Sequence, residues 1–215
     1  MRKVLQVSRS GILVGFSTLL FTICYAKVNI GISGGYSTFA MADFNDNVEV
    51  SGEKLRGGSD FVLNVSLNVS EKFRMGLGLG SIYGTTVIDR TTYTKTEAQV
   101  LAIPITIDAS YILKEISPDK LYLTANIGLG CAPVILGSKY SITGLGDAVS
   151  YYTGSAGLFQ IGTGIIYKVF KKLDLTTDLG LRYMRSTEFE NVDYINGSDF
   201  NLDFSGIFVR GGLRF

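Results

Sequence analysis

Charged side chains at regular spacing are the residues of this sequence that could do chemistry. Six of them fall on the polar side of alternating segments, and they are Arg74, Asp108, Asp174, Asp178, Arg210 and Arg214. An unpaired buried charge is costly, whereas an arginine and a carboxylate can form two parallel hydrogen bonds. In a hairpin centred on Tyr194, Asp178 lies opposite Arg210. The same register places Asp174 opposite Arg214, so the spacing predicts a network of Arg–carboxylate pairs.

Two interpretations of this charge network follow from its chemistry. The pairs could serve only to hold neighbouring strands in register, or they could exchange partners and gate a passage for ions or small solutes. We expect Asp108 to face Asn126 across the turn that contains Pro118. Lys168 and Arg182 are expected to join the network nearer its two ends.

The residue types exclude several classes of enzyme. The chain has no histidine, which excludes a Ser-His-Asp triad, a Cys-His pair and histidine-ligated zinc. The glycines in 76–80 imitate a nucleotide-binding loop, but they fall inside a predicted strand with no helix after them. Residues 45–47 and Asp60 lack the spaced oxygen ligands of a calcium site. We therefore expect no enzymatic activity, no cofactor and no metal ion, and a net charge of +1 excludes a basic nucleic-acid binder.

The first 26 residues have the pattern of a secretory signal peptide. Arg2, Lys3 and Arg9 precede an apolar run over residues 11–24, and the small residue Ala26 follows. The sequence therefore predicts a signal peptide at 1–26 and one exported domain at 27–215, with an uncleaved membrane anchor as the alternative. The exported domain keeps one cysteine, which excludes an internal disulfide.

Beyond the leader, the hydropathy pattern has a period of two residues, which is typical of half-buried β-strands. Eight such segments are present, at 28–40, 64–70, 73–80, 101–113, 121–130, 159–168, 173–183 and 201–215. Short turns are predicted near 70–72, 114–120 and 170–172. Long polar loops are predicted at 43–58, 88–98, 136–155 and 185–199. Short connectors on one side and long ones on the other are typical of an outer-membrane barrel.

The polar side of these strands separates a membrane barrel from a soluble one. It is mostly glycine, serine, threonine and asparagine, and only 18% of the chain is charged, whereas a surface facing water would carry more charge. Small residues suit the narrow lumen of an eight-stranded barrel. They argue against a periplasmic lipid carrier, which needs a large apolar lumen.

Aromatic residues at the strand ends favour the membrane barrel as well. Those predicted to form a girdle at the short-turn, periplasmic rim are Phe73, Tyr111, Tyr167 and Phe215. Those predicted at the loop rim are Phe61, Tyr83, Phe159 and Tyr183. The fold class is therefore all-β, an eight-stranded antiparallel up-and-down transmembrane β-barrel after a signal peptide.

The exported domain resembles the small eight-stranded outer-membrane β-barrels of Gram-negative bacteria, the OmpA/OmpX-like group. The most specific part is the end of the chain, where Ile207, Val209, Gly211, Leu213 and Phe215 alternate outward. Such an ending resembles the signal read by the outer-membrane assembly machinery. The resemblance implies export, insertion by that machinery and contact with outer-membrane lipid.

Two features depart from the regular pattern. Pro104 and Pro133 should interrupt their strands, because proline has no N–H to donate. Phe200, Leu202, Phe204 and Phe208 fall out of phase with the outward residues that follow, which predicts a bulge near 205–206.

The expected function is that of a non-enzymatic surface protein of the outer membrane. It would contribute to envelope integrity or, through its long extracellular loops, to contact with host or other cell-surface molecules. Tyrosines and serines in the loop at 136–155 suit such contacts. The alternative is a narrow channel for ions or small solutes, gated by the Asp/Arg pairs of the lumen.

Overall fold

The computed structural model describes residues 28–46, 52–187, 189 and 200–215. The predicted signal peptide lies outside these residues. The strands are β1 Val28–Thr38, β2 Gly57–Asn68, β3 Phe73–Arg90, β4 Thr94–Ala102, β5 Ile105–Ser117, β6 Leu121–Ile142, β7 Gly146–Phe170, β8 Leu173–Ser186 and β9 Gly206–Arg214. One helical turn, α1 Ala42–Asn45, follows β1. None of the helices described is both long and apolar enough to cross a bilayer.

The strands close into one antiparallel barrel. Except for β4 and β5, neighbours along the chain pair with each other, and β1 pairs with β9 to close the ring. Strands β4 and β5 share one position, because both pair with β3 and β6. The barrel therefore has eight strand positions and both described ends on the short-turn side, which confirms the predicted fold.

The two prolines behave differently. Pro104 separates β4 from β5, as expected of a residue without an N–H, and its carbonyl oxygen still accepts a hydrogen bond of 2.7 Å from Gly80 N–H. Pro133 lies within the continuous strand β6, opposite Ser155. Its carbonyl accepts a hydrogen bond of 3.0 Å from Ile103 N–H. The prediction that Pro133 interrupts its strand is wrong.

The lower part of the barrel, near the short turns, carries its apolar side chains on the outside. Ile105 and Ile107 are 52% and 61% exposed, and the other aliphatic residues of this surface alternate with inward polar ones. Further members of this outward belt are Ile30, Ile32, Leu63, Val65, Leu77, Leu79, Ile127, Leu129, Ile161, Ile165 and Leu179. The predicted orientation is confirmed, and this belt is the surface that faces hydrocarbon in the outer membrane.

The upper part of the barrel reverses this arrangement. Its inward side chains are apolar and buried, and together with residues of the 39–55 segment they form the outer core: Phe39, Met41, Phe44, Leu55, Ile82, Ile88, Ala98, Val100, Ala102, Ala132, Val134, Leu136, Ala156, Leu158, Met184, Phe189, Phe200, Leu202 and Phe204. The expectation of a lumen lined throughout by small polar residues is therefore wrong for this half.

Two of the predicted long loops are β-hairpins. Strands β3 and β4 are joined by residues 91–93 and strands β6 and β7 by 143–145, where loops were predicted at 88–98 and 136–155. The prediction failed because these segments point polar side chains outward and apolar ones into the outer core. Of the other two predicted loops, 43–58 contains α1, and much of 185–199 lies outside the described residues.

Toward β8, the predicted bulge near 205–206 produces no shift of register, whereas toward β1 the pairing changes between Phe208, which lies opposite Ser37, and Asp203, whose carbonyl accepts a hydrogen bond from Ala40 N–H. Arg182 lies opposite Gly206 and Arg185 opposite Asp203, in one unchanged register. Phe204 points inward because the outer core is apolar, so it needs no change of phase to be buried.

Candidate functional site: the lumen charge network

Asp60 is the centre of the charge network. Its carboxylate is fully buried and accepts hydrogen bonds from Arg210 Nε at 2.9 Å and Nη2 at 3.0 Å. Arg182 Nη1 donates to the same carboxylate at 2.7 Å, and Ser37 Oγ donates at 2.5 Å. Two guanidinium groups thus share one carboxylate, which lies directly beneath the outer core.

A glycine makes this pairing possible. Asp60 and Arg210 lie on β2 and β9, which are separated by β1. Gly35 of β1 is the register partner of both. A Cβ at Gly35 would lie 1.8 Å from the carbonyl oxygen of Val209, so any larger residue would collide with the β9 backbone. The missing side chain leaves the two charged groups free to meet across β1.

The predicted register of the last hairpin is confirmed, with Asp178 opposite Arg210 and Asp174 opposite Arg214. Asp174 and Arg214 form the expected ion pair, in which Nε donates to Oδ2 at 3.0 Å. The ion pair expected between Asp178 and Arg210 is replaced, because Arg210 donates to Asp60. Asp178 instead accepts a hydrogen bond of 2.8 Å from Asn126 Nδ2.

Asp108 does not face Asn126 as predicted. The β5–β6 turn centres on Asp119, which alone would place Asp108 opposite Gly130. Two bulges in β5 shift the register back by two residues, so Asp108 lies opposite Gly128. Its carboxylate accepts hydrogen bonds from neutral donors: Thr106 Oγ1 at 2.8 Å, Gln160 Nε2 at 3.2 Å and Asn64 Nδ2 at 3.3 Å. Three donors on three strands tie β2, β5 and β7 together.

The remaining predicted members lie nearer the periplasmic rim or at the centre. Arg74 Nε donates to Asn68 Oδ1 at 2.9 Å. Lys168 Nζ donates to Tyr122 OH at 3.0 Å and lies 4.7 Å from the centre of the Tyr122 ring. Arg182, expected near a rim, is instead buried beside Asp60.

Asp60 is the residue that sequence reasoning missed. It shares the inward phase of Asn64 and Ser66 on β2, which was a usable signal. Its partners Arg182 and Arg210 are distant in sequence, so their spacing did not point to it. Among the described residues, no group of three or more acidic, cysteine or histidine side chains is placed to hold a metal ion.

A cavity of about 170 Å³, lined by both charged and apolar side chains, lies below Asp60 in the periplasmic half of the lumen. Five of the six predicted charges line it: Arg74, Asp108, Asp178, Arg210 and Arg214. Phe208 forms part of its wall and stacks with the Arg210 guanidinium at 4.3 Å. The arrangement can hold strands in register and bind water or a small polar solute from the periplasmic side.

Most of the predicted girdle residues lie on the outer surface. Phe61, Tyr83, Phe159, Tyr183, Tyr111, Tyr167 and Phe215 are exposed, and Phe73 is half-buried opposite Tyr111. In the last strand Ile207, Val209, Gly211, Leu213 and Phe215 all point outward. Their roles as lipid anchors and as an assembly signal stay predictions.

Comparisons with known proteins give several distant structural likenesses. No protein-family model matches the chain, and no curated protein matches it in sequence. Ail, the attachment invasion locus protein of Yersinia pestis in complex with a heparin analogue, is 10% identical with a TM-score of 0.45. The match covers 88% of this chain and 99% of that one.

Two further structures are similar to the same extent. The outer membrane protein OprG from Pseudomonas aeruginosa is 11% identical with a TM-score of 0.46, over 88% of this chain and 95% of that one. The outer membrane protease OmpT from Escherichia coli is 10% identical with a TM-score of 0.41, over 87% and 96%. From its own closed strand order and apolar outer belt, the chain has the fold of the small eight-stranded outer-membrane β-barrels.

Proposed function

We propose that the chain is a non-conducting surface protein of the outer membrane that contacts other surfaces through an extension of its barrel. The extension is the part of β3, β4, β6 and β7 that continues beyond Pro104 and Pro133, away from the periplasmic turns. The outward alternation of β9 supports insertion by the assembly machinery. The contact with other surfaces is the more specific part of the proposal, and the location in the outer membrane is the more general one.

The exposed tip of the extension is the observation that carries the proposal. Tyr93, Leu145 and Tyr151 are 71%, 83% and 72% exposed at or near the two hairpin turns. Large apolar side chains held in water on a rigid element favour a contact surface. Tyrosine adds adaptable contact area at a low entropic cost.

The extension is rigid because its two hairpins form one sheet. Thr94 pairs with Ile142, and Thr143 N–H donates to the Tyr93 carbonyl at 2.9 Å. The Tyr151 ring covers Gly137 on the neighbouring strand, where a Cβ would lie 3.2 Å from the ring. The tip residues are therefore presented together.

The filled lumen supports a non-conducting protein. Val100, Val134 and Leu136 are fully buried in the outer core, and the Asp60 cluster lies directly below them. Ions would have to cross an apolar layer and then separate two buried ion pairs, and each of these steps is costly.

An adherence assay tests the surface role. Cells that carry the full chain in their outer membrane are compared with cells carrying Tyr93→Ser, Leu145→Ser and Tyr151→Ser together, on cultured epithelial monolayers. We expect the triple variant to adhere no better than cells without the protein. The control combines Gln99→Ser and Thr153→Ser, which change exposed polar residues of the same extension.

The outcome also separates contact from envelope integrity. Equal adherence of the wild type and the triple variant, with both proteins present at the surface, would contradict the contact role. A change in detergent sensitivity without a change in adherence would favour a role in envelope integrity instead.

The second candidate is a narrow channel, which the cavity of about 170 Å³ with its five charged lining residues favours. Planar-bilayer recording of the purified protein decides between the two candidates. We expect no conductance steps from the wild type, and steps that disappear or change size in Asp60→Asn would support the channel.

A further inference from the structure

Lysines gather at the periplasmic end of the barrel. Five of them, all exposed, lie in or next to the three short turns, and we name them the lysine collar: Lys72, Lys114, Lys120, Lys171 and Lys172. Three acidic residues share this end, and Glu115 is occupied by accepting a hydrogen bond of 2.6 Å from Asp119 N–H. The collar therefore carries an excess of positive charge.

Three basic residues of the opposite end are paired with carboxylates. Lys95, Lys139 and Arg185 in the upper part each form an ion pair, with Glu97, Asp147 and Asp43 respectively. Among the residues that the structure describes, no ion pair includes a lysine of the collar. Lys54 and Arg56 of the upper part also lack an ion pair among the described residues, so what distinguishes the collar is that all five of its lysines do.

The three turns lie side by side. Lys168 N–H of β7 donates to the Lys120 carbonyl at 2.8 Å, and Ile112 N–H of β5 donates to the Lys72 carbonyl at 2.8 Å. The collar therefore follows one continuous arc of the rim, from the β2–β3 turn to the β7–β8 turn.

Bulges at Lys114 and just before Lys171 break the inward–outward alternation at the rim. The register shifts between Ile112 and Lys114, between 115 and 117, and between 168 and 170. Bulges re-aim side chains, and the alternation of buried and exposed residues is lost over 113–116 and 167–172, where every residue is exposed. Lysines are therefore adjacent to exposed apolar residues.

The apolar neighbours fix the depth of the collar in the membrane. Leu113, Ile116 and Phe170 are exposed and continue the outward belt, so the ammonium groups lie where hydrocarbon meets headgroups. Lysine stems can lie along apolar surface while the charge reaches phosphate. Binding to the cell wall would require charges that point away from the outward belt into the periplasm, whereas these charges lie next to the belt.

We propose that the lysine collar is a binding surface for the headgroups of anionic phospholipids in the periplasmic leaflet. Several ammonium groups on one arc attract phosphate-bearing lipids over zwitterionic ones, and each lysine near a charged membrane surface contributes about 1 kcal/mol. The collar would surround this arc with anionic lipid.

Native mass spectrometry of the purified full chain tests the proposal. The protein in detergent is titrated with phosphatidylglycerol and phosphatidylcholine of the same acyl chains. We expect the wild type to prefer phosphatidylglycerol by at least about fivefold, the ratio that one lysine's attraction of ~1 kcal/mol gives. The preference should disappear when Lys72, Lys114, Lys120, Lys171 and Lys172 are all changed to Gln.

A matched variant controls for loss of charge elsewhere. Lys95→Gln with Lys139→Gln removes two lysines from the extension and should keep the preference. An equal preference in the wild type and the five-lysine variant would overturn the proposal, as would an equal loss in the control. Binding to purified peptidoglycan through the same lysines, with no lipid preference, would also overturn it. The heat-dependent gel mobility of folded barrels shows that each variant is folded.

Discussion

The lower and upper parts of this barrel use opposite hydropathy patterns on the same strands. Below Pro104 the apolar side chains point outward and the polar ones point inward, as at Ile107 and Asp108. Above it, Gln99 is exposed and Val100 is buried. The strand is regular in both parts, so the difference comes from its surroundings. Lipid surrounds the lower part and water the upper part, which must therefore keep its apolar residues inside.

Asp60 lies at the boundary of the two parts, and removing its charge should have the largest effect. Asp60→Asn leaves Arg182 and Arg210 buried without a counter-ion, and such a loss destabilises a protein by roughly 3–5 kcal/mol. Urea unfolding of the protein in lipid vesicles measures the change. The control Asp174→Asn removes a partly exposed pair and should cost less, and equal losses would contradict the central place of Asp60.

A lysine scan sharpens the comparison between the two patterns. Leu77 points into hydrocarbon midway along the lower part of β3, so Leu77→Lys should destabilise the barrel by about 2–4 kcal/mol. Gln99 is outward as well but lies in water, so Gln99→Lys should leave the unfolding free energy unchanged within error. If both substitutions were tolerated, the outward belt would not face lipid.

The regular half of the fold could be predicted from the sequence, because a membrane barrel repeats one simple pattern. The alternation from Leu121 to Gly130 predicted both the strand and the orientation of its side chains. The extension could not be predicted in this way. Its segments at 88–98 and 136–155 contain many polar residues and therefore predict loops. Val100, Val134 and Leu136 nevertheless fall at the inward positions of their strands, which was a signal of the reversed pattern.

The charge network was predicted in its register but not in its centre. Asp178 and Arg210 are neighbours in a single hairpin, so the spacing of one pair of strands locates them. The Asp60–Arg210 pair crosses β1 at Gly35 and depends on barrel closure. The pairing of strands that are neighbours in sequence does not identify a partner that comes close only when the barrel closes.

The smallest expected effect concerns an exposed ion pair of the extension. The hydrogen bond from Lys139 Nζ, 2.7 Å from Asp147 Oδ2, lowers the pKa of the Asp147 carboxyl. Its contribution to stability is present above the ordinary pKa of aspartate and is lost as the pH falls through the lowered value. In Lys139→Gln the pKa of Asp147 should rise toward its ordinary value in an NMR titration. Lys54→Gln is the control, and an unmoved Asp147 pKa in Lys139→Gln would show that the pair does not persist in solution.

The central claim is that the sheet reverses its apolar side at the membrane edge, and spin-label accessibility tests it most directly. One spin label is attached to each of three variants, Ile107→Cys, Gln99→Cys and Val100→Cys. Each variant also carries Cys131→Ser and is studied in lipid vesicles. We expect the Ile107 label to meet oxygen in lipid, the Gln99 label to meet a water-soluble nickel complex, and the Val100 label to meet neither. A Val100 label open to the nickel complex, or a Gln99 label in lipid, would contradict the account.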